Sequence, residues 1–408
     1  MWRAHARRWL AFAAIATAAC ARAHPNASVP GADWTGSWTA APQLTEPRNL
    51  PPAPGLSGGT LRQVVHLSLG GSALRVRLSN EFGTAPLAVI RAQVARSGAG
   101  SAIVAGSGRA LTFSGRDSTT IAAGASALSD AVALQVEALS DVTVSLQLGA
   151  FAGGHTGHPG SRTTSYMAAG DQVSADSLPS AVRVEHWYFI AGIEVLSGHD
   201  ASSVVILGNS IADGRGSTTN LNNRWPDNLA RRLQQNPRTP WVGVLNAGIG
   251  GNAVVRGGLG PPALERLERD VLQQRGARWV IVSEGVNDIG GARGGDAAQL
   301  IAGELITAYQ QMIARARAEG LRVYGATILP FGGSQYDDAS REAARQRVNA
   351  WIKSAGAFDA VIDFDAAMRD PSAPARLRAD LDSGDHLHPN AAGYVVMAGA
   401  VDLKLFRR

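Results

Sequence analysis

The stretch Val204-Val205-Ile206-Leu207-Gly208-Asn209-Ser210-Ile211-Ala212-Asp213-Gly214 decides how the rest of the chain is read. Its first four residues are aliphatic and mostly β-branched, the composition of a strand buried on both faces. It then breaks into Gly, Asn, Ser, Asp and Gly, which is turn chemistry. A serine at the carboxyl end of a buried parallel strand stands where open α/β sheets bind ligands. A nucleophilic oxygen can be held exposed there on a rigid support. An isolated serine in that place is more often a helix cap, so the decision rests on what the neighbouring strand ends carry.

Toward the carboxyl terminus, apolar runs alternate with segments of helical period. The runs at 204–207, 242–245, 279–282, 322–327 and 360–363 read as strands. Helical segments are expected near 225–235, 262–273, 297–319, 339–354 and 391–405. Alternation of this kind predicts a parallel sheet covered by helices on both faces. In the segment 297–319, Leu300, Ile301, Leu305, Ile306, Tyr309 and Met312 form the expected core-facing stripe.

The strand ends carry distinctive polar loops. The second is followed by Asn246-Ala247-Gly248-Ile249-Gly250-Gly251-Asn252, the third by Glu284-Gly285-Val286-Asn287-Asp288. Just before the last helix comes Asp382-Ser383-Gly384-Asp385-His386-Leu387-His388-Pro389. In a parallel sheet these loops converge on one edge. Acyl transfer needs a nucleophile, a base, a group that orients the base, and donors for the oxyanion. Ser210 supplies the first, His388 the second and Asp385, three residues earlier, the third. Ser210 and Gly251 offer backbone N–H groups, and Asn287 a side-chain amide, for the fourth. His386 competes with His388, Asp382 with Asp385, and Gly250 with Gly251.

Taken together and in this order, the four blocks resemble the SGNH hydrolases, the GDSL-type esterases and lipases. The blocks are Gly-Asn-Ser-Ile-Ala-Asp-Gly, Asn-Ala-Gly-Ile-Gly-Gly-Asn, Gly-Val-Asn-Asp and Asp-His-Leu-His-Pro-Asn. The resemblance implies Ser210, Asp385 and His388 as catalytic residues and Ser210, Gly251 and Asn287 as the oxyanion hole. It also implies a flavodoxin-like three-layer α/β/α domain over residues 201–408, with no cofactor or metal. The family's usual Gly-Asp-Ser is here Gly-Asn209-Ser210, which keeps the shape and loses a charge. Two other readings fit less well. Gly248-Ile249-Gly250-Gly251-Asn252-Ala253 follows a strand as a dinucleotide-binding turn does, but no convincing helix comes next. An α/β-hydrolase would set its serine in G-x-S-x-G and separate Asp from His widely.

From residue 33 to residue 196 the periodicity is two. Val65, Leu67 and Leu69, then Leu74, Val76 and Leu78, then Val142, Val144, Leu146 and Leu148 alternate with polar residues between glycine-rich turns. This predicts an all-β, jelly-roll-like sandwich domain, and a secreted subset of the resembling family has such a domain in front. His155 and His158 in a glycine-rich loop are simple loop residues in the first instance, since a metal site would want a further ligand. Trp34, Trp38 and Trp187 could stack on sugar rings, but core packing is the expected role of each.

The 408 residues suit two domains. Hydrophobic content of 45% against 17% charged excludes a disordered chain. The net charge of +5 comes almost wholly from scattered arginines, with only Lys353 and Lys404 as lysines, so no nucleic-acid surface is inferred. Residues 1–23 read as a secretory signal: Arg3, Arg7 and Arg8, an apolar run from Trp9 to Ala19, then Ala21-Arg22-Ala23. Cleavage after Ala23 removes the single cysteine, Cys20; a lipid anchor on Cys20 ranks second. No other stretch is long and apolar enough to span a bilayer. The expected activity is therefore that of a secreted or periplasmic carboxylic-ester hydrolase on a small-molecule or polysaccharide ester. A lipase or arylesterase is the main rival, and a non-catalytic binding or envelope protein the other.

Overall fold

The computed structural model describes residues 33–354 and 356–407. The expected signal segment with Cys20 lies outside the described residues. From Trp34 to Leu196 the chain is built of strands, paired antiparallel to their neighbours. One sheet contains Trp34–Thr39, Gly71–Ser79, Ser126–Leu128, Val132–Val136 and Ile190–Leu196. A second is built around Gly59–His66, Asp141–Leu148 and Leu87–Arg96, and a small third sheet joins Gln43–Leu44, Thr156–His158 and Trp187–Tyr188. Leu74, Val76, Leu78, Ile193 and Val195 of the first pack with Leu61, Val65, Val89, Val142, Val144 and Leu146 of the second in one core. The alternating pattern thus buries one face of each sheet and closes a sandwich. Trp38 and Trp187 are buried and meet edge to face at 4.9 Å. The pattern did not foresee Arg62, which is fully buried. Its guanidinium reaches Ser145 Oγ and the carbonyls of Ser101, Val173 and Ala175.

The second half is a five-stranded parallel sheet in the spatial order Val242–Gly248, Ser202–Gly208, Ala277–Ser283, Arg322–Ala326, Ala360–Ile362. In chain order this is 2-1-3-4-5, the flavodoxin-like arrangement. Helices Trp225–Gln235 and Ala391–Ala400 pack together, and Gly295–Ala318 packs with Ala339–Ser354. The helix Trp225–Gln235 buries Trp225, Leu229 and Leu233 at four-residue steps, and Asp227 caps it by accepting the N–H of Arg224 at 3.0 Å.

Three local expectations need correction. Leu300 is 62% exposed. The buried stripe is Ile301, Leu305, Ala308, Tyr309 and Met312, and Leu300 lies one residue, about 100°, off it. The segment expected at 262–273 is helical over Ala263–Leu267, then widens to a π-turn over Glu268–Leu272, where the N–H of Gln273 reaches back five residues to Glu268. The last helix stops at Ala400 because Asp402 caps a separate short turn, accepting the N–H of Lys404 at 2.9 Å.

The two halves share backbone contacts. Ser203 Oγ donates to Gly36 O at 2.6 Å, the N–H of Val244 to Ser68 Oγ at 2.9 Å, and the N–H of Gly36 to Arg275 O at 2.9 Å. A Cβ on Gly36 would sit 2.8 Å from Leu245, so that glycine is what lets the first strand of the sandwich lie against the parallel sheet. This docking carries sandwich loops over the carboxyl edge where Ser210 emerges.

Candidate active site

At the end of strand Ser202–Gly208, Asn209 accepts the N–H of Ile211 at 3.0 Å and caps the short helix Ser210–Asp213. Ser210 is thereby the first helical residue, where a backbone N–H has no intrahelical partner. Asn209, rather than Ser210, is the cap. Across the edge, Ser210 Oγ lies 2.8 Å from His388 Nε2, and His388 Nδ1 lies 2.7 Å from Asp385 Oδ2. Asp385 is itself held: its Oδ1 accepts the N–H of Leu387 at 3.1 Å, the N–H of His388 at 2.9 Å and the hydroxyl of Ser383 at 3.2 Å. With a carboxylate at Nδ1, that nitrogen carries the hydrogen and Nε2 is left to accept from the serine.

The rival pair is separate. His386 Nδ1 lies 2.6 Å from Asp382 Oδ2, and His386 is 54% exposed in its side chain at φ +60°. Each aspartate of the loop thus serves its own histidine, and His388 is the one facing Ser210.

Burial works against the charge on Asp385, but the N–H, hydrogen bond and charge of His388 and the N–H of Leu387 together hold it well below the usual carboxylate range. Burial also pushes the His388 imidazole below its ordinary value; Asp385 pulls it partly back, while Arg215 and Arg162 push further down. The neutral imidazole is the proton acceptor. Activity is therefore expected to be full at neutral pH and to fall as pH drops through a value below 6.5. A kcat/KM profile whose acid limb lies above pH 7 would contradict this.

Asn287 sits in the first turn of the helix Val286–Gly291, where the sequence suggested a loop. Its Nδ2 donates to Asn252 O at 2.7 Å, and the Tyr336 hydroxyl donates to its Oδ1 at 3.0 Å. These bonds fix the amide plane and leave one Nδ2 hydrogen for the cleft. Gly251 lies at φ +72°, where a Cβ would be strained and would press on Leu259 at 3.2 Å. Gly251, Asn287 and Ser210 line one cleft, and Gly250 lines it too. Removing the Asn287 amide by Asn287→Ala is expected to lower kcat by about 10²–10³ with little change in KM. A loss confined to KM would remove Asn287 from the oxyanion hole.

Beneath the cleft a buried arginine ties the loops together. Arg266 donates to Gly208 O at 3.0 Å, Ala247 O at 2.6 Å, Asn252 Oδ1 at 3.0 Å and Asp270 at 3.0 Å, and reaches Glu284 at 3.4 Å. Asp288 accepts the N–H groups of Val254 and Val255 and so clamps the glycine loop to the third strand end. Glu284 accounts for the departure at position 209. Asn209 Nδ2 donates to Glu284 Oε2 at 3.2 Å, a bond that an aspartate carboxylate, having no N–H, could not donate. Burial pushes the Glu284 carboxyl up to about 8, with Arg266 opposing.

The cleft has a volume of about 640 Å³. Its second wall is the sandwich, through Gln43, Arg48, Asn49, Gly160, Arg162 and His186. His158 is no free loop residue: its Nε2 lies 2.8 Å from Asp213 Oδ1 and its Nδ1 3.0 Å from Ala41 O, joining the two halves. His155 packs instead against Phe151 and Phe189, so the two histidines serve different partners. Of the loop after the fourth strand, Phe331 is buried, and it is Gln335 and Tyr336 that reach the cleft. Sequence reasoning missed Tyr336, Arg162 and Arg266. Only Arg266 left a signal, as an Arg–Asp pair four residues apart in a segment of helical period.

A serine at the carboxyl edge of a parallel sheet, bonded to a histidine that an aspartate orients, is the constellation of a serine hydrolase. Residues 206–396 match the model of the GDSL-like lipase/acylhydrolase family, a family of hydrolases that act on esters. Similar solved structures include a GDSL-like lipase from Bacteroides thetaiotaomicron VPI-5482, at 20% identity over 49% of this chain and 85% of that one, with a TM-score of 0.35. They also include a family two carbohydrate esterase from Cellvibrio japonicus, at 11% identity over 91% of this chain and 94% of that one, with a TM-score of 0.37. No curated protein matches the chain significantly. Among the described residues no helix is long and apolar enough to cross a membrane.

Proposed function

We propose that the protein is an exported serine esterase that removes small acyl groups, foremost acetyl, from polysaccharide. Ser210 Oγ attacks the ester carbonyl carbon while its proton passes to His388 Nε2. The oxyanion forms among the N–H groups of Ser210, Gly251 and Asn287. Its collapse breaks the bond to the alcohol oxygen, which takes the proton from His388. Water, deprotonated by the same imidazole, then releases the acid and restores Ser210. Asp385 holds the imidazole in the tautomer this requires and stabilises it when charged.

The observation that carries the substrate assignment is the makeup of the cleft wall. Around Ser210 it is lined by Gln43, Asn49, Arg162, His186 and Gln335, with Leu259, Leu387 and Tyr336 as isolated apolar patches. The polar side chains are hydrogen-bonding partners for a sugar, which a long acyl chain could not use. The test is an acyl-chain series of p-nitrophenyl esters beside acetylated xylan. Preference for acetyl, with acetate released from the polymer, is expected. A preference for long chains would reject the deacetylase assignment in favour of a lipase.

A further inference from the structure

We propose that Arg162 binds a carboxylate of the substrate close to the scissile ester, so that the cleft selects acidic over neutral esters. This rests on the esterase reading above and narrows it to acetylated acidic sugars.

Arg162 comes from the sandwich and lines the cleft together with Ser210 and His388. Its side chain makes neither an ion pair nor a hydrogen bond among the described residues, and its Nε is buried without a partner. The residue is half-buried, and a charge partly withdrawn from water favours a partner. The acids lining the same cleft are all engaged elsewhere. Glu46 accepts from Gln43 at 2.9 Å and Asn49 at 2.8 Å, Asp213 is bonded to His158 at 2.8 Å, and Asp385 to His388 at 2.7 Å. Among the described residues lining the cleft, each carboxylate thus has another partner.

The residue is also held in place. Arg162 has φ +50°, a conformation side chains other than glycine rarely adopt and one that collects at functional sites. Asn220 of the other half clasps the loop: its N–H donates to Arg162 O at 2.9 Å, its Oδ1 accepts the N–H of Thr164 at 2.8 Å, and its Nδ2 donates to Thr164 Oγ1 at 2.9 Å. These bonds fix the backbone that carries Arg162, and its planar guanidinium matches the two oxygens of a carboxylate. Its field also acts on His388, where it disfavours the imidazolium. A bound carboxylate cancels that field as the imidazole takes up the serine proton, so the acidic substrate removes an obstacle that a neutral one leaves in place.

The experiment compares the parent and Arg162→Gln on 4-acetoxybenzoate and 4-acetoxybenzamide, which differ in charge and share the acetyl group, with p-nitrophenyl acetate as the neutral reference. The ratio of kcat/KM for the acid over the amide is expected to fall roughly tenfold or more in the variant, as for loss of a charged hydrogen bond, mostly through KM. The acid limb of the p-nitrophenyl acetate profile is expected to move to higher pH. An unchanged ratio overturns the proposal while leaving the esterase reading intact. A parent that hydrolyses none of the three esters sinks the esterase reading itself. If the variant does not fold, inhibition of the parent by 4-hydroxybenzoate against 4-hydroxybenzamide decides. Stronger inhibition by the anion, weakened by salt, supports the site; equal inhibition overturns it.

Discussion

Ser210→Ala is expected to lower kcat for p-nitrophenyl acetate by about 10⁶ while leaving the fold in place. The hydroxyl is the only atom lost, and its one side-chain partner is His388 Nε2. Ser210 is not the cap of its helix; that bond belongs to Asn209 and survives the change. The stability cost is therefore that of one unmatched buried imidazole nitrogen, about 1 kcal/mol. The residual rate is expected to stay roughly 10³–10⁴ above water, because the oxyanion donors remain. Full activity in a folded alanine variant would mean that the observed bond between Ser210 and His388 has no part in the chemistry.

Asp385→Asn is expected to cost about 10⁴ in kcat with KM nearly unchanged. The two side chains have the same shape, but an amide nitrogen at Nδ1 of His388 favours the tautomer with hydrogen on Nε2. That hydrogen then points at the Ser210 hydroxyl and cannot be replaced by the serine proton. The neighbouring Asp382→Asn supplies the control. Asp382 serves His386, which is largely exposed and bonded only within its loop, so activity close to the parent is expected. The reverse outcome, with the large loss in Asp382→Asn, would move the orienting carboxylate to the other pair. Measuring both variants on one ester, with thermal unfolding as the fold check, separates the cases.

The sequence made the parallel sheet legible because buried strands that end in Gly, Asn and Asp loops carry two signals at once. Val204–Leu207 is the clearest example: apolar on both faces, then an abrupt turn. The position of Asn287 was readable, yet its element was not, because Gly285 at φ +106° turns the chain directly into a helix that no periodic stretch announces. Leu300 reads as core by its apolar character alone, yet it stands at the edge of the stripe that Ile301 and Leu305 define and is left exposed. The sandwich wall of the cleft left no trace in the sequence. Arg162 lies 48 residues before Ser210 in the chain, and contacts between the halves, such as the packing of the strand Trp34–Thr39 against the strand Val242–Gly248 and the bond of His158 to Asp213, bring the two regions together. In the sequence Asn209 is a departure that keeps the shape of the motif and loses a charge. Its meaning appeared only beside Glu284, a partner that sequence spacing does not reveal.

The central claim is that the Ser210 oxygen is the nucleophile. Its most direct test is reaction of the protein with a p-nitrophenyl alkylphosphonate, followed by mass spectrometry of the digested chain. One equivalent of phosphonyl adduct is expected, on the peptide containing Ser210, with loss of esterase activity in step and no adduct in Ser210→Ala. An esterase that is inactivated with the label on another residue, or that takes up no label while turning over esters, would contradict the account.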